Sequence, residues 1–214
     1  GREVAAHCAN PGSMMGLRDE GIKIWVEPND DPKKKLKFGW RLVDHENGHF
    51  TGVDTSLPNR ALRAALQDRR IAELAAYETL RPEVKYGRSS RIDFLLSAAG
   101  LPDAYVEVKS VTLSRTSGIA EFPDSVTTRG ARHLGDLAAE AAKGNRAVML
   151  YCVQRDDCDR FDLARDLDPG YAAAFDAAMA QGVEVLAIRC RLGTTRISLG
   201  RAIPWTGHAA RMER

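Results

Sequence analysis

The chain has 214 residues, of which 44% are hydrophobic and 28% charged, and a formal net charge of +2. That length buries one sizeable core, or one core with a small extra module. No apolar run approaches the roughly 18 residues that span a bilayer and no signal-peptide pattern is present, so the sequence reads as a cytoplasmic protein with no membrane partner.

The first 57 residues read as β-rich. The chain opens "GREVAAHCAN" inside an apolar stretch and without Met, which suggests that a true N-terminus is missing. "VAAHC" and "IKIWV" are short strand-prone runs separated by the turn-rich "ANPGSMMG", and "EPNDDPKKK" is a polar loop. "LKFGWRLVDHE" alternates, placing Leu36, Phe38, Trp40 and Leu42 on one face and Lys37 and Arg41 on the other. Asn47-Gly48 is a strong hairpin signal leading into "HFTGVD". Short strands in this pattern suggest a small barrel or sandwich.

From Pro58 the period changes. Asn59–Glu78 carries Leu62, Leu66, Ile71, Leu74 and Ala75 in an approximate helical stripe, with Asn59 as N-cap. Strands are expected near 83–86, 91–97 and 104–110, then a helix capped by Asp124 and stopped at Gly144. "RAVMLYCV" is continuously apolar, as in strands buried on both faces, and "DPGYAAAFDAAMAQG" has Pro near a helix start and Gly after its end. "VEVLAIRCRL" and "TRISLG" complete a mixed α/β sheet in 58–214. Cys8, Cys152, Cys158 and Cys190 include no C-x-x-C pair and lie mostly in strand-like runs, which favours reduced core thiols over a disulfide or zinc set.

Charge is expensive to bury unless it is paired or bound to a metal, yet two of the strand-like runs carry it. Asp93 lies in "RIDFLL", and Glu107 and Lys109 lie in "YVEVKS". A hairpin turning at "AAGLPDA" brings both carboxylates to one end of the sheet, and Glu107 and Lys109, two apart, share a strand face. Two carboxylates match what Mg2+ takes from protein, and the Val108 carbonyl is a possible neutral ligand. Lys109 would then serve the attacking water and the scissile phosphate in metal-assisted phosphodiester hydrolysis. The spacing alone equally suits a structural Glu–Lys or Asp–Lys pair.

The surroundings are basic. Between Asn59 and Arg91 eight basic residues, Lys85, Arg88 and Arg91 among them, face four acids, which suits either a phosphate-facing patch or a solvated surface. In "FPDSVTTRGARHLGDL" a helix would align Arg129, Arg132 and His133 at i, i+3 and i+4, as phosphate contacts or surface groups. Lys37, Trp40 and Arg41 offer a second DNA-facing set, against a reading in which Trp40 is core and the two cations are solvated. Glu83, two residues before Lys85, is either a further metal-site acid or one half of a salt bridge.

The strings "HCANPGSM", "EVKYGRSSRIDFLL", "YVEVKSVTL", "FPDSVTTRGARHL" and "GVEVLAI" resemble the sugar fermentation stimulation protein family and occur in family order across nearly the whole chain. The resemblance implies an OB-like barrel over 1–57, then a restriction-endonuclease-like α/β domain of the PD-(D/E)-x-K type. It also implies DNA binding and a link to regulation of sugar metabolism genes. Carried onto this chain, the nuclease signature falls on Asp93, Glu107 and Lys109, with Asp93 and Glu107 holding Mg2+ or Mn2+. The family has a further strand before "HC" that this sequence lacks, and Pro11 and Ser13 differ from the commonest family residues. Three readings follow: a DNA-binding protein of low sequence specificity with a nuclease-like metal site, a magnesium-dependent endonuclease, and a non-catalytic scaffold with a structural charge cluster.

Overall fold

The computed structural model describes residues 1–87 and 90–207. Strands β1 (Ala6–His7), β2 (Lys23–Pro28), β3 (Phe38–Asp44) and β4 (Phe50–Gly52) form one sheet. β3 is central. β2 runs antiparallel along its whole length, while β1 (parallel) and β4 (antiparallel) share its other edge. The Asn47-Gly48 hairpin forms as expected, with Gly48 at φ 88° and the His45 N–H donating to the His49 carbonyl. No closed barrel forms among the described residues.

The expected alternation breaks at Arg41. The β2–β3 register pairs Val26 with Trp40 and Trp25 with Leu42, so Arg41 is an extra residue on β3. An extra residue moves the following side chains to the other face. Trp40 and Val43, rather than Trp40 and Leu42, therefore share the small core with Met14, Leu17 and Val53.

The second sheet has six strands in the order β13-β12-β10-β7-β6-β5: β5 (Thr79–Tyr86), β6 (Ser90–Ser97), β7 (Ala104–Val111), β10 (Arg146–Val153), β12 (Glu184–Arg191) and β13 (Ser198–Ala202). The chain also forms β8 (Leu113–Thr116), β9 (Ile119–Phe122) and β11 (Arg160–Leu163), a three-stranded sheet. Only β7–β10 and β10–β12 are parallel in the six-stranded sheet, which makes it mixed.

Helix α1 (Leu57–Gln67) covers one face of that sheet; α2 (Thr128–Ala142) and α3 (Pro169–Ala180) cover the other. The continuously apolar β10 shows why both faces need cover. Val148, Leu150 and Cys152 pack with Leu62 and Leu66 of α1, while Met149, Tyr151 and Val153 pack with Leu134, Leu137 and Phe175 of α2 and α3. Among the described residues no helix is long and apolar enough to cross a membrane. All four cysteines are free, three of them buried.

Two helix starts differ from the sequence expectation. The helix expected over 59–78 is α1 followed by a separate short 3-10 turn at Ala72–Leu74, because the chain turns at Arg69 with φ 55°. Its N-cap is Ser56, which frees Asn59 for another partner. The cap of α2 is Thr127, whose hydroxyl accepts from the Gly130 N–H at 3.1 Å. Asp124 instead receives the Met14 N–H and, on its carbonyl, the Ser13 hydroxyl, tying the N-terminal loop to the α/β part. Gly12 sits close against it: an added Cβ would lie 2.6 Å from Asp124 Oδ2, so a side chain there would have to displace the Asp124 carboxylate.

Candidate metal centre

The ladder between β6 and β7 pairs Leu96 with Ala104, Leu95 with Tyr105 and Phe94 with Val106, and then stops. Beyond that point the Asp93 carboxylate stands in for the backbone: Oδ2 accepts the Val108 N–H at 2.7 Å. Its Oδ1 accepts from the Asn59 side-chain amide, also at 2.7 Å, on the first turn of α1. Asp93 is thereby held between a strand and a helix. Sequence reasoning misses Asn59 because its partner is 34 residues away and its position suggests a cap.

Glu107 and Lys109 share a face of β7, and α2 lies over that face. Lys109 Nζ donates to Glu107 Oε1 at 2.8 Å, and His133 Nδ1 makes a very short contact to the same oxygen. Arg129 Nε donates to His133 Nε2 at 3.3 Å. With Nε2 accepting, the ring proton sits on Nδ1 and points at the carboxylate, a tautomer assigned from the hydrogen-bond network.

The electrostatics of the two carboxylates differ. Burial pushes the Glu107 carboxyl up, but hydrogen bonds from His133 and Lys109, with the Lys109 charge, hold it below its ordinary value. Asp93 is pushed up to about 6, first by burial and then by the Glu107 charge; the Val108 N–H, Asn59 and Lys109 oppose this only in part. Glu107 Oε2 is buried and has no hydrogen-bond partner, although the residue is only 3% exposed. A buried unpaired carboxylate oxygen beside a second carboxylate is costly, and a cation bound there removes the cost. Among the described residues no group of three or more His, Cys, Asp and Glu is arranged to hold a metal. The protein therefore offers two carboxylates, the number that suffices for Mg2+ when waters or phosphate oxygens complete the shell.

The remaining residues of interest scatter. Lys85 and Arg91 are exposed and directly opposite each other on β5 and β6. Arg129 and Arg132 are exposed on α2, whereas His133 is 3% exposed with both ring nitrogens engaged, so it braces Glu107 instead of reaching phosphate. Lys37 is exposed and its Nζ donates to the Asp31 carbonyl. Trp40 packs on the small core and donates Nε1–H to the Leu42 carbonyl, so it does not stand free to stack on bases. Arg41 is spanned by the carboxylates of Glu27 and Asp54, which removes it from the phosphate set. Glu83 is exposed at φ 54°, and no ion pair joins it to Lys85 among the described residues. Arg88 lies outside the described residues.

A family model described as "Sugar fermentation stimulation protein RE domain" matches residues 56–196, and one described as "SfsA N-terminal OB domain" matches residues 1–53. The chain belongs to the sugar fermentation stimulation protein family. Its relatives include the sugar fermentation stimulation protein homolog of Ruegeria pomeroyi, 74% identical over 198 residues, covering 92% of this chain and 84% of that protein. The Agrobacterium fabrum homolog is 49% identical over 203 residues, covering 95% of this chain and 84% of that one. A solved structure, described as "The structure of Pyrococcus Furiosus SfsA in complex with Ca2+", has the same fold, with TM-score 0.85 at 24% identity, over 95% of this chain and 86% of that one. The SfsA family thus supplies the fold, and the chemistry rests on the residues described above.

Proposed function

We propose that this SfsA family member is a cytoplasmic DNA-binding protein of low sequence specificity, whose nuclease-like site holds Mg2+ or Mn2+ between Asp93 and Glu107. The observation that carries the proposal is the unpartnered Glu107 Oε2 beside a carboxyl pushed up to about 6. The calcium complex of the Pyrococcus furiosus protein supports a divalent cation. A link to regulation of sugar metabolism genes belongs to the same proposal and rests on the family name.

In this reading the chain's own residues divide the work. Asn59 and the Val108 N–H fix Asp93, and Arg129 fixes the His133 ring that braces Glu107. The Lys109 ammonium, 2.8 Å from Glu107 Oε1, is placed to neutralise a phosphate oxygen. When bound, the divalent ion supplies Lewis-acid polarisation of a phosphodiester. Lys85 and Arg91, like charges directly opposite on adjacent strands, repel each other and favour a shared polyanion; Arg129, Arg132 and Lys37 add to that field.

Placement of Lys109 at the carboxylate favours a second reading, a magnesium-dependent DNA endonuclease. Saturation of Glu107 Oε1 by Lys109 and His133 favours a third, a scaffold whose charges are structural, but the orphaned Oε2 opposes it. The proposed division into an OB-like module over 1–57 and a nuclease-like domain over 58–214 is supported by the sheets, which share no strand; the two parts are joined at β4 by the Thr51–Arg155 bridge and by backbone bonds from the Gly52 N–H to the Gln154 carbonyl and from the Asp156 N–H to the Phe50 carbonyl. DNA binding by fluorescence anisotropy, with cleavage of supercoiled, linear and branched DNA in Mg2+ or Mn2+, tests the readings together. Binding with cleavage selects the endonuclease, binding without cleavage the leading proposal, and absence of both DNA and metal binding the scaffold.

A further inference from the structure

Tyr86 closes β5 with its side chain turned to the face that α2 covers, and it is 7% exposed. β6 separates β5 from β7 in the sheet, a span of roughly 10 Å for two strand spacings. Yet the Tyr86 ring centroid lies 5.8 Å from that of Tyr105 on β7. The side chain therefore leans across β6. Tyr105 and Glu107 are two apart on β7 and share its face, so the ring ends beside the candidate metal centre.

The hydroxyl carried there is buried and has no hydrogen-bond partner among the described residues. Burial first, then the charges of Glu107, Asp136, Asp93 and Glu140, push its pKa up, so it stays a neutral O–H. Glu107 is the strongest of those charges, which agrees with the lean toward β7, since Coulomb energy falls with distance. The other three acids already have partners. Asp93 bonds Asn59 and the Val108 N–H, Glu140 bonds Lys143 and Asn145, and Asp136 holds the Ser90 hydroxyl. Glu107 Oε2 has none.

An orphan hydroxyl and an orphan carboxylate oxygen thus lie buried in one neighbourhood without bonding each other. Such groups are rare enough to need an explanation. A cation on Oε2 accounts for both, because Mg2+ keeps several oxygen ligands beyond one or two carboxylates. A hydroxyl, which both donates and accepts, can hold one of those ligands in place.

We propose that Tyr86 is a positioning residue of the cation site, its hydroxyl hydrogen-bonded to an oxygen ligand, water or phosphate, that completes the shell of the ion held by Asp93 and Glu107. This rests on the metal-site reading above and adds a residue to it. Being neutral, the phenol orients that ligand without repelling the cation, as a further ammonium beside Lys109 would.

The test is calorimetric titration of the full chain with Mg2+ and with Mn2+, without DNA, on the parent, Tyr86→Phe and Tyr105→Phe. Tyr86→Phe keeps the ring and removes the hydroxyl. It should weaken metal binding at least about tenfold, the range for losing a group that orients a metal's ligand. Tyr105→Phe removes the neighbouring hydroxyl and should stay within about twofold of the parent. Melted without metal, Tyr86→Phe should be as stable as the parent or more so, because a buried hydroxyl with no partner has gone. Adding Mg2+ should shift the near-ultraviolet tyrosine absorption of the parent, and Tyr86→Phe should lack that change. A smaller loss of metal affinity in Tyr86→Phe, or an equal loss in Tyr105→Phe, would overturn this inference and leave the cation site standing. So would a clear drop in the metal-free melting temperature of Tyr86→Phe, which would make the hydroxyl a structural partner. No metal binding by the parent would overturn the cation site and this inference together.

Discussion

Two clusters of buried charge are touched by neighbouring residues of α1, Arg60 at Asp54 and Asn59 at Asp93, and they are built differently. At Asp54, 2% exposed, every oxygen is satisfied: Oδ1 by the Ser56 N–H and hydroxyl, Oδ2 by Arg41 and Arg60. Burial pushes this carboxyl up, yet those hydrogen bonds and the arginine charges bring it below its ordinary value. At Asp93 and Glu107 one oxygen is orphaned and one carboxyl is pushed up to about 6. A saturated cluster holds the fold together. An unsaturated one leaves room for a partner, and the proposed metal site rests on that difference.

Asp54→Ala attacks the saturated cluster. It leaves Arg41 with Glu27 alone and unpairs the Ser56 N–H and hydroxyl, and should cost about 1–3 kcal/mol of stability, the range for leaving buried hydrogen-bonding groups unsatisfied. Metal uptake should persist in whatever fraction stays folded. A melt showing less than about 1 kcal/mol of loss would mean that the cluster is not structural.

Lys109→Met tests the other cluster. It keeps both carboxylates, so calorimetry should still show metal binding. If the chain cleaves DNA, the rate should fall by the equivalent of about 2–4 kcal/mol, the range for losing one group that stabilises transition-state charge. Loss of metal binding instead would make Lys109 a structural partner of Glu107.

The two clusters should respond oppositely to pH. Asp93 has a folded value of about 6 against an ordinary 3.8, so the metal-free protein binds more protons folded than unfolded. Its contribution to stability is fully present below about pH 4 and is lost as pH rises through about 6, up to about 3 kcal/mol in all. Asp54, held below its ordinary value, contributes stability above that value and loses it as pH falls. Denaturant melts across pH 3–8 on the parent and on Asp93→Asn separate the two, since only the Asp93 contribution disappears in the variant.

The smallest effect is on DNA affinity. Replacing Lys85, Arg91 or Arg132 by Gln should lower the slope of log affinity against log salt by about 0.9 for each duplex phosphate that is no longer neutralised. An unchanged slope in all three variants would remove the proposed phosphate-facing surface.

The acid–acid–lysine set is legible in the sequence because strand alternation is local: residues two apart share a face, and a hairpin places 93 near 107. The mixed sheet is legible for the same reason, from continuous apolar runs such as 146–153. What surrounds the site is less so. Asn59 reaching Asp93 and His133 bracing Glu107 are helix-to-strand contacts across 34 and 26 residues, and no local pattern announces them. Helical spacing puts residues 129, 132 and 133 on one face, but α2 presses His133 into the core side and leaves both arginines outside. Alternation misplaces Leu42 and frees Arg41 wrongly because of the extra residue on β3, since register depends on the partner strand and not only on the sequence that carries it.

Whether Asp93 and Glu107 form a cation site or a salt-bridged scaffold is decided by one paired measurement. Calorimetric titration of Mg2+ and Mn2+ should show one site in the parent chain and none in Asp93→Asn. Melted at pH 7 without metal, the variant should be as stable as the parent or more so, because a carboxylate repelled by Glu107 has gone. No metal binding by the parent, together with a large loss of melting temperature in Asp93→Asn, would make the pair a structural scaffold and contradict the cation site.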